Sequence, residues 1–289
     1  MTSGQWKLPD LTGRTMVVTG ASSGLGAVTA RELAQAGAHV VLAVRDVEKG
    51  ERVAAGISGK TEVRALDLAD LASVRAFADA WTGKLDVLVN NAGIMAVPRG
   101  KTADGFEDHF GTNHLGPFAL TNLLLPNITD RVVTVSSGLA RIGTVRLDDL
   151  NWERRPYRPM RAYGASKLAN LLFTLELQRR LTAAGSSVRA LAAHPGVAAT
   201  SLDQHLHGPQ QAVTRFSYRF MAQREAAYGA LPTLYAVTED LPGNSYVGPT
   251  GRSGARPSLE RRRKADSDAN LAKQLWDVSA ELTGVNRHE

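Results

Sequence analysis

The chain contains no cysteine in 289 residues. Disulfides, thiolate nucleophiles and cysteine-ligated metals are therefore excluded. Long apolar runs are missing as well: the stretches around Leu120–Pro126 and Val132–Val135 fall far short of the ~18 consecutive apolar residues that a membrane helix needs. No membrane span is expected. Met1–Arg14 holds no apolar segment followed by a small-residue cleavage site, so no secretory signal is read and a cytoplasmic location is expected. A metal site is not expected either, because His205 and His207 stand two apart without a carboxylate cluster.

Acidic charge is in slight deficit, leaving a formal net charge of +6. Thr250–Lys264 alone carries +5 of it, so the rest of the chain is nearly neutral. The run Arg261–Lys264 reads as a solvated segment or, less simply, as a contact for a polyanion. No nucleic-acid partner is expected from so local a charge.

What is present is an alternation. Short β-branched runs at Thr15–Val18, His39–Ala43, Glu62–Leu66, Asp86–Val89, Arg131–Val135 and Val188–Ala193 predict strands. Gly26–Ala36, Leu71–Trp81, Gly105–Leu125 and Ala165–Leu181 between them carry apolar residues at helical spacing. Repeated βαβ units of this kind predict an α/β fold, a Rossmann-type doubly wound parallel sheet with helices on both faces. No linker divides the chain, so residues 1–289 are read as one domain. Residues 198–226 and 248–267, rich in Gly, Pro, His or Arg, are expected as a lid and a basic loop.

Thr15–Val18 runs into TGASSGLG, Thr19–Gly26, and then into a helical stretch, the order a dinucleotide site needs. Gly20 permits the turn, Gly24 lets the backbone approach a pyrophosphate, and Gly26 allows close helix packing, with Ser22, Ser23 and Leu25 completing the turn. The helix amino terminus presents free N–H groups to the phosphates. At the end of the second strand, Val44 cannot accept a hydrogen bond from an adenosine ribose, whereas Arg45 can fork onto a 2′-phosphate. NADP(H) is the expected cofactor. The alternative has Asp46 binding a 2′-hydroxyl, with Arg45 in solvent.

AYGASKLAN sets Tyr163 and Lys167 four residues apart, on one helix face. A lysine cation and an oxidised nicotinamide both favour the phenolate, so the tyrosine is expected to titrate below its usual ~10 and to exchange protons near neutrality. Such a pair alone is often a surface contact. Here it follows TGxxxGxG, NNAG at Asn90–Gly93, Asn113 and VSS at Val135–Ser137, and precedes PGxxxT at Pro195–Thr200.

In that order the motifs of Leu11–Thr200 resemble the short-chain dehydrogenase/reductase family. DGFEDHFGTNHLGPFALTNLLL, DDLNWERRPY and YGASKLANLLF resemble its branch of retinol dehydrogenases, WW-domain oxidoreductase and protochlorophyllide reductases. The resemblance implies that Tyr163 donates the proton, Lys167 holds the nicotinamide ribose, Ser137 stabilises the carbonyl oxygen and Asn113 holds a relay water. It implies further that Asp67 and Leu68 flank the adenine and that Asn90–Gly93, with Asn91, Ala92 and Gly93, line the adenosine ribose. Pro195, Gly196, Val197 and Thr200 would touch the carboxamide or pyrophosphate. Pairing of copies into a homodimer or homotetramer, through the helices after Gly105 and after Tyr163, is implied too.

One departure stands out: Ser137 and Tyr163 are 26 residues apart, wider than is usual in the family. Trp152, Tyr157 and Met160 in this insertion shape a substrate pocket or cover the sheet edge; both readings stand. After Thr200, Leu202, Leu206, Val213, Phe216, Phe220 and Met221 suit a flap over an apolar carbonyl or alcohol, or a packing helix. The expected function is reversible hydride transfer to such a small molecule. The alternative is a non-enzymatic NADP(H)-binding sensor or scaffold.

Overall fold

A computed structural model describes residues 7–196, 226–250 and 256–285. Seven strands, β1 (Thr15–Thr19), β2 (His39–Val44), β3 (Thr61–Ala65), β4 (Leu85–Asn90), β5 (Ile128–Val135), β6 (Arg189–Ala193) and β7 (Tyr246–Thr250), run parallel, and β8 (Arg256–Leu259) closes the edge antiparallel. Their order is β3-β2-β1-β4-β5-β6-β7-β8. The order reverses between β1 and β4, and ligands of such sheets bind beyond the carboxyl ends of the strands at that point.

Both faces are covered, which is why the strands read as unbroken apolar runs. Along β1 and β2, Val17 and Val41 enter one core with residues of α3 (Leu71–Asp79), α5 (Gly116–Leu124) and α6 (Pro159–Ala183), while Met16, Val18, Val40 and Leu42 enter the other with α1 (Gly24–Gln35). Between α1 and α3 lies α2 (Val47–Ala54), and α4 (Asp108–Phe110) leads into α5 through a π-helical turn, Gly111–Leu115. A helix α7 occupies described residues 226–238, and α8 (Ala269–Thr283) ends the described chain.

One expectation changes. The segment expected as a basic loop contains most of β7, all of β8 and a 3-10 turn, Lys264–Ser267. Within it Arg262 donates to the carbonyls of Leu171 and Asn244 at 3.1 and 3.2 Å, and Arg263 pairs with Asp266. Burial pulls the Arg262 pKa down to about 10. Arg262 thus ties the sheet edge to α6, so these two arginines are not part of a solvated tail, while Arg261 and Lys264 of the run are exposed. The helix faces expected to pair between copies are covered by this chain's own α8: Trp276 packs on Phe118 of α5 and Phe173 of α6, with ring centroids 4.9 and 5.7 Å away. Finally, the expected lid, 198–226, lies outside the described residues except for Ala226 at the start of α7.

Candidate active site

At the switch point opens a cleft of about 600 Å3. Its floor is the turn from β1 into α1. Gly20 has φ +68°, and a Cβ there would stand 2.9 Å from Ala92. A Cβ on Gly26 would stand 2.5 Å from the Gly20 carbonyl oxygen, so only glycine lets α1 begin this close to the turn. Gly24, with φ +54°, faces open space instead, leaving its backbone bare toward the cleft. No side chain caps Ser23, the N-cap of α1, and the first turn carries no acid. Exposed N–H groups at a positive helix end suit a phosphate, and the donor set fits a dinucleotide.

Of the residues expected to hold a cofactor, Gly20, Ser22–Gly26, Arg45, Asp67, Leu68, Asn91–Gly93 and Tyr163 line this cleft. Asn90 does not. Its side chain is buried and donates to Thr121 Oγ1 at 2.9 Å, holding β4 to α5, while Asn91 turns back to donate to the Thr19 carbonyl at 2.8 Å. Pro195 is also absent from the lining, and Gly196 lines a second cavity of about 240 Å3 together with Ser137, His194 and Tyr246. Val197 and Thr200 lie outside the described residues.

At the end of β2 stand the two candidate ribose contacts. Asp46 is the N-cap of α2, its carboxylate accepting from the Lys49 N–H at 2.9 Å. One of its two oxygens is thereby engaged by the helix. Arg45, Asp46 and Lys49 all line the cleft. Lys49 was not foreseen, although D-x-x-K at a helix start was a readable signal for a cation one turn in. Ile94, Met95 and Thr112, which also line the cleft, had no such signal.

Ser137, Tyr163, Lys167 and Asn113 are brought together and all four are buried. The Ser136 hydroxyl donates to the Lys167 carbonyl at 2.8 Å, fixing α6 against the end of β5. Ser137 stands beside Tyr163 and favours its ionised form. Lys167 Nζ lies 5.8 Å from the centre of the Tyr163 ring and donates to the Val135 carbonyl at 3.0 Å. Asn113 sits in the π-helical turn, a feature common at functional sites. It accepts from the Ile94 N–H at 2.8 Å and donates to Ser166 Oγ at 2.9 Å. A Cβ on Gly93 would stand 3.0 Å from Asn113 Oδ1 and 3.2 Å from Lys167 Nζ, so this glycine separates cleft and catalytic groups by backbone alone.

In the chain alone, burial raises the Tyr163 pKa, and the neighbouring Ser137 side chain only partly opposes it. Burial lowers that of Lys167 to about 8. The chain's own groups thus favour neutral forms of both side chains. A buried ammonium costs stability, and Lys167→Met should remove the cost. In urea unfolding the variant should gain on the native chain below about pH 8, with the gain fading as pH rises toward 10.5, where the unfolded chain also sheds the proton. A difference between the two chains that is equal at pH 7 and pH 10 would refute the desolvation.

Beside Tyr163 lies a buried cluster that sequence reasoning missed. Glu107 accepts from His109 Nδ1 at 2.7 Å and from the Tyr157 hydroxyl at 3.0 Å, and the His109 ring lies 6.1 Å from that of Tyr163. Burial alone would raise the Glu107 pKa, but hydrogen bonds from His109 and Phe110 outweigh it and keep the carboxyl ionised. Tyr157 therefore braces α4, while Trp152 of the insertion packs edge-on against its ring.

Comparison with known proteins agrees with this geometry. Residues 14–211 match the family model for short chain dehydrogenases. The chain is 42% identical to human retinol dehydrogenase 13 over 94% of its length and 85% of that protein, and 43% identical to mouse retinol dehydrogenase 12 over 94% and 87%. Its fold is similar to the crystal structure of an uncharacterized protein from Mycobacterium paratuberculosis, with TM-score 0.86 and 55% identity over 97% of this chain and 98% of that one. It is also similar to a short chain dehydrogenase from Burkholderia cenocepacia in complex with NADP, with TM-score 0.61 and 27% identity over 83% and 97%. The chain belongs to the short-chain dehydrogenase/reductase family of oxidoreductases, in its retinol dehydrogenase-like branch.

Proposed function

We propose that the protein is an NADP(H)-dependent oxidoreductase interconverting a carbonyl and an alcohol, with Tyr163 as the proton donor of the reduction. The observation that carries this reading is the buried set beside the glycine cleft: Tyr163 lines the cleft, Lys167 Nζ lies 5.8 Å from its ring, and Ser137 is buried next to it. When bound, the nicotinamide would supply or accept the hydride. Ser137 would orient the substrate oxygen and donate to it as negative charge develops. Tyr163 would pass its hydroxyl proton to that oxygen. Lys167, held by the Val135 carbonyl, would hold the nicotinamide ribose and favour the phenolate left behind. Asn113, pinned between Ile94 and Ser166, would hold a water for the return of the proton.

Arg45 and Lys49 support NADP(H) over NAD(H), because both are cations at the cleft while the Asp46 carboxylate is engaged in capping α2. Arg45→Ala should weaken NADPH binding by about 1.5–3 kcal/mol, the scale of a hydrogen bond to a charged group, and leave NADH almost unchanged. Fluorescence titration with both cofactors checks this. Equal weakening of the two would return the role to Asp46. The names of the retinol dehydrogenase relatives support an apolar alcohol or carbonyl as substrate, with residues 198–226 as its lid. A panel of retinoid, aliphatic and aromatic carbonyls and alcohols, read by NADPH absorbance, tests the activity. Tight NADPH binding with no turnover on any of them would favour a sensor or scaffold.

A further inference from the structure

The wide spacing between Ser137 and Tyr163 builds a second concavity that the proposed reaction does not use. It encloses about 360 Å3 and is lined by four arginines, Arg146, Arg155, Arg158 and Arg161, with Trp152 and Ile142 among the remaining residues and no acidic side chain. It shares no lining residue with the cofactor cleft.

The arginines are not equivalent. Arg155 is fixed: its Nε lies 3.2 Å from the buried Asp149 carboxylate, Nη2 donates to the Asp149 carbonyl at 3.1 Å, and the guanidinium lies 3.7 Å over the Trp152 ring. Trp152 holds that plane from a left-handed backbone, φ +55°, a conformation that costs a non-glycine residue energy. Arg146 pairs with Asp148 at 2.9 Å on the rim. Arg158 and Arg161 have no side-chain hydrogen bond or ion pair among the described residues. Both stand at the start of α6, where the helix dipole disfavours cations, and the first turn carries no acid to offset them.

Unpartnered guanidinium groups gathered around one concavity, with one more held rigid behind them, match the doubly forked recognition of an oxyanion. Ile142, 48% exposed, offers apolar surface to whatever carries that anion. We propose that this cavity binds a phosphoryl group, as pyrophosphate or a phosphate ester, at a site separate from the cofactor cleft. The group arrives on a soluble molecule or on a lipid headgroup. The proposal depends on the proposed function only in that the cofactor cleft is to be filled during the test.

The experiment is calorimetric titration of pyrophosphate into the full chain with NADP+ in excess and ionic strength held constant with chloride. The native chain should bind it saturably, and Arg158→Ala/Arg161→Ala should weaken that binding by at least ~10-fold, two charged hydrogen-bonding groups being lost. NADPH affinity should stay within about twofold, because neither residue lines the cofactor cleft. Arg52→Ala, at an exposed arginine on α2, should change nothing. In parallel, phosphatidylcholine vesicles with and without phosphatidic acid are sedimented with both chains. Sedimentation that requires phosphatidic acid and is lost in the double variant assigns the phosphoryl group to a lipid. Pyrophosphate binding without sedimentation assigns it to a soluble molecule. If the native chain binds neither, or if the double variant binds pyrophosphate and vesicles as the native chain does, the proposal fails. A chain that does not bind NADP+ but still binds pyrophosphate in an Arg158/Arg161-dependent way would overturn the cofactor reading and leave this one standing.

Discussion

Tyr163→Phe is expected to bind NADP(H) within about twofold of the native chain and to lose at least ~100-fold in turnover. The substitution keeps the ring and its packing against His109 and removes only the hydroxyl. If Tyr163 supplies the proton, the barrier rises and the ground-state complex is nearly unchanged. The loss should therefore fall on kcat rather than KM. The pH profile carries a second check. Burial raises the Tyr163 pKa in the chain alone, so any working value near neutrality must come from the charge of Lys167 and of the oxidised nicotinamide. In the oxidation direction, where Tyr163 must accept a proton, activity should rise with pH. In reduction it should fall. Near-native turnover for Tyr163→Phe would dismiss Tyr163 as the proton donor and, with it, the proposed role of Ser137.

The parts of this site that could be read from the sequence are those that local geometry dictates. Gly20 and Gly26 announce themselves because any side chain there collides with neighbouring backbone, whatever the rest of the fold does. Tyr163 and Lys167 are read from helical spacing together with the order of the motifs around them. Strands β1, β2, β4, β5 and β6 follow from apolar runs buried on both faces, while β3, TEVRA, is only half-buried. Arg45 was legible through the residue types beside it, but the commitment of Asp46 to α2 emerges only once that helix is seen.

What was not legible depends on residues far apart in the chain. Arg262 looked like one member of a solvated basic run, yet its partners are carbonyls of Leu171 and Asn244, distant in sequence. Strand β8 escaped notice because its pattern, RPSL, has no apolar alternation, and an edge strand tolerates proline. Glu107 and His109 carried no signal of their own in the sequence. Tyr157, some fifty residues away, makes them a buried cluster. The burial of Tyr163 has the same origin: spacing gave its lysine neighbour, whereas its burial comes from the packed fold.

Trp276→Ala is expected to lower the free energy of unfolding by ~3–5 kcal/mol, the range for deleting a large buried aromatic. Trp276 is 7% exposed and fills the angle between two helices, stacked on Phe173 at 5.7 Å, edge-on to Phe118 at 4.9 Å and covered by Arg180 at 4.6 Å. Rigid α5 and α6 cannot close the resulting gap, so lost contacts add to the lost transfer energy. Arg180 keeps its pairing with Glu176 at 2.8 Å, so the cost is chiefly apolar. Urea unfolding followed by circular dichroism measures it. A loss under about 1 kcal/mol, the range of ordinary surface substitutions and their scatter, would show that α8 is only loosely applied. The folded variant should keep most of its turnover, because Phe173 lies ten residues along α6 from Tyr163, or about 15 Å of helix. It should also associate with itself as concentration rises, since loosening α8 uncovers the apolar faces of α5 and α6 that native Trp276 occupies. Sedimentation velocity at two concentrations separates these outcomes: a variant that stays as dispersed as the native chain would show that α8 is not what covers that surface.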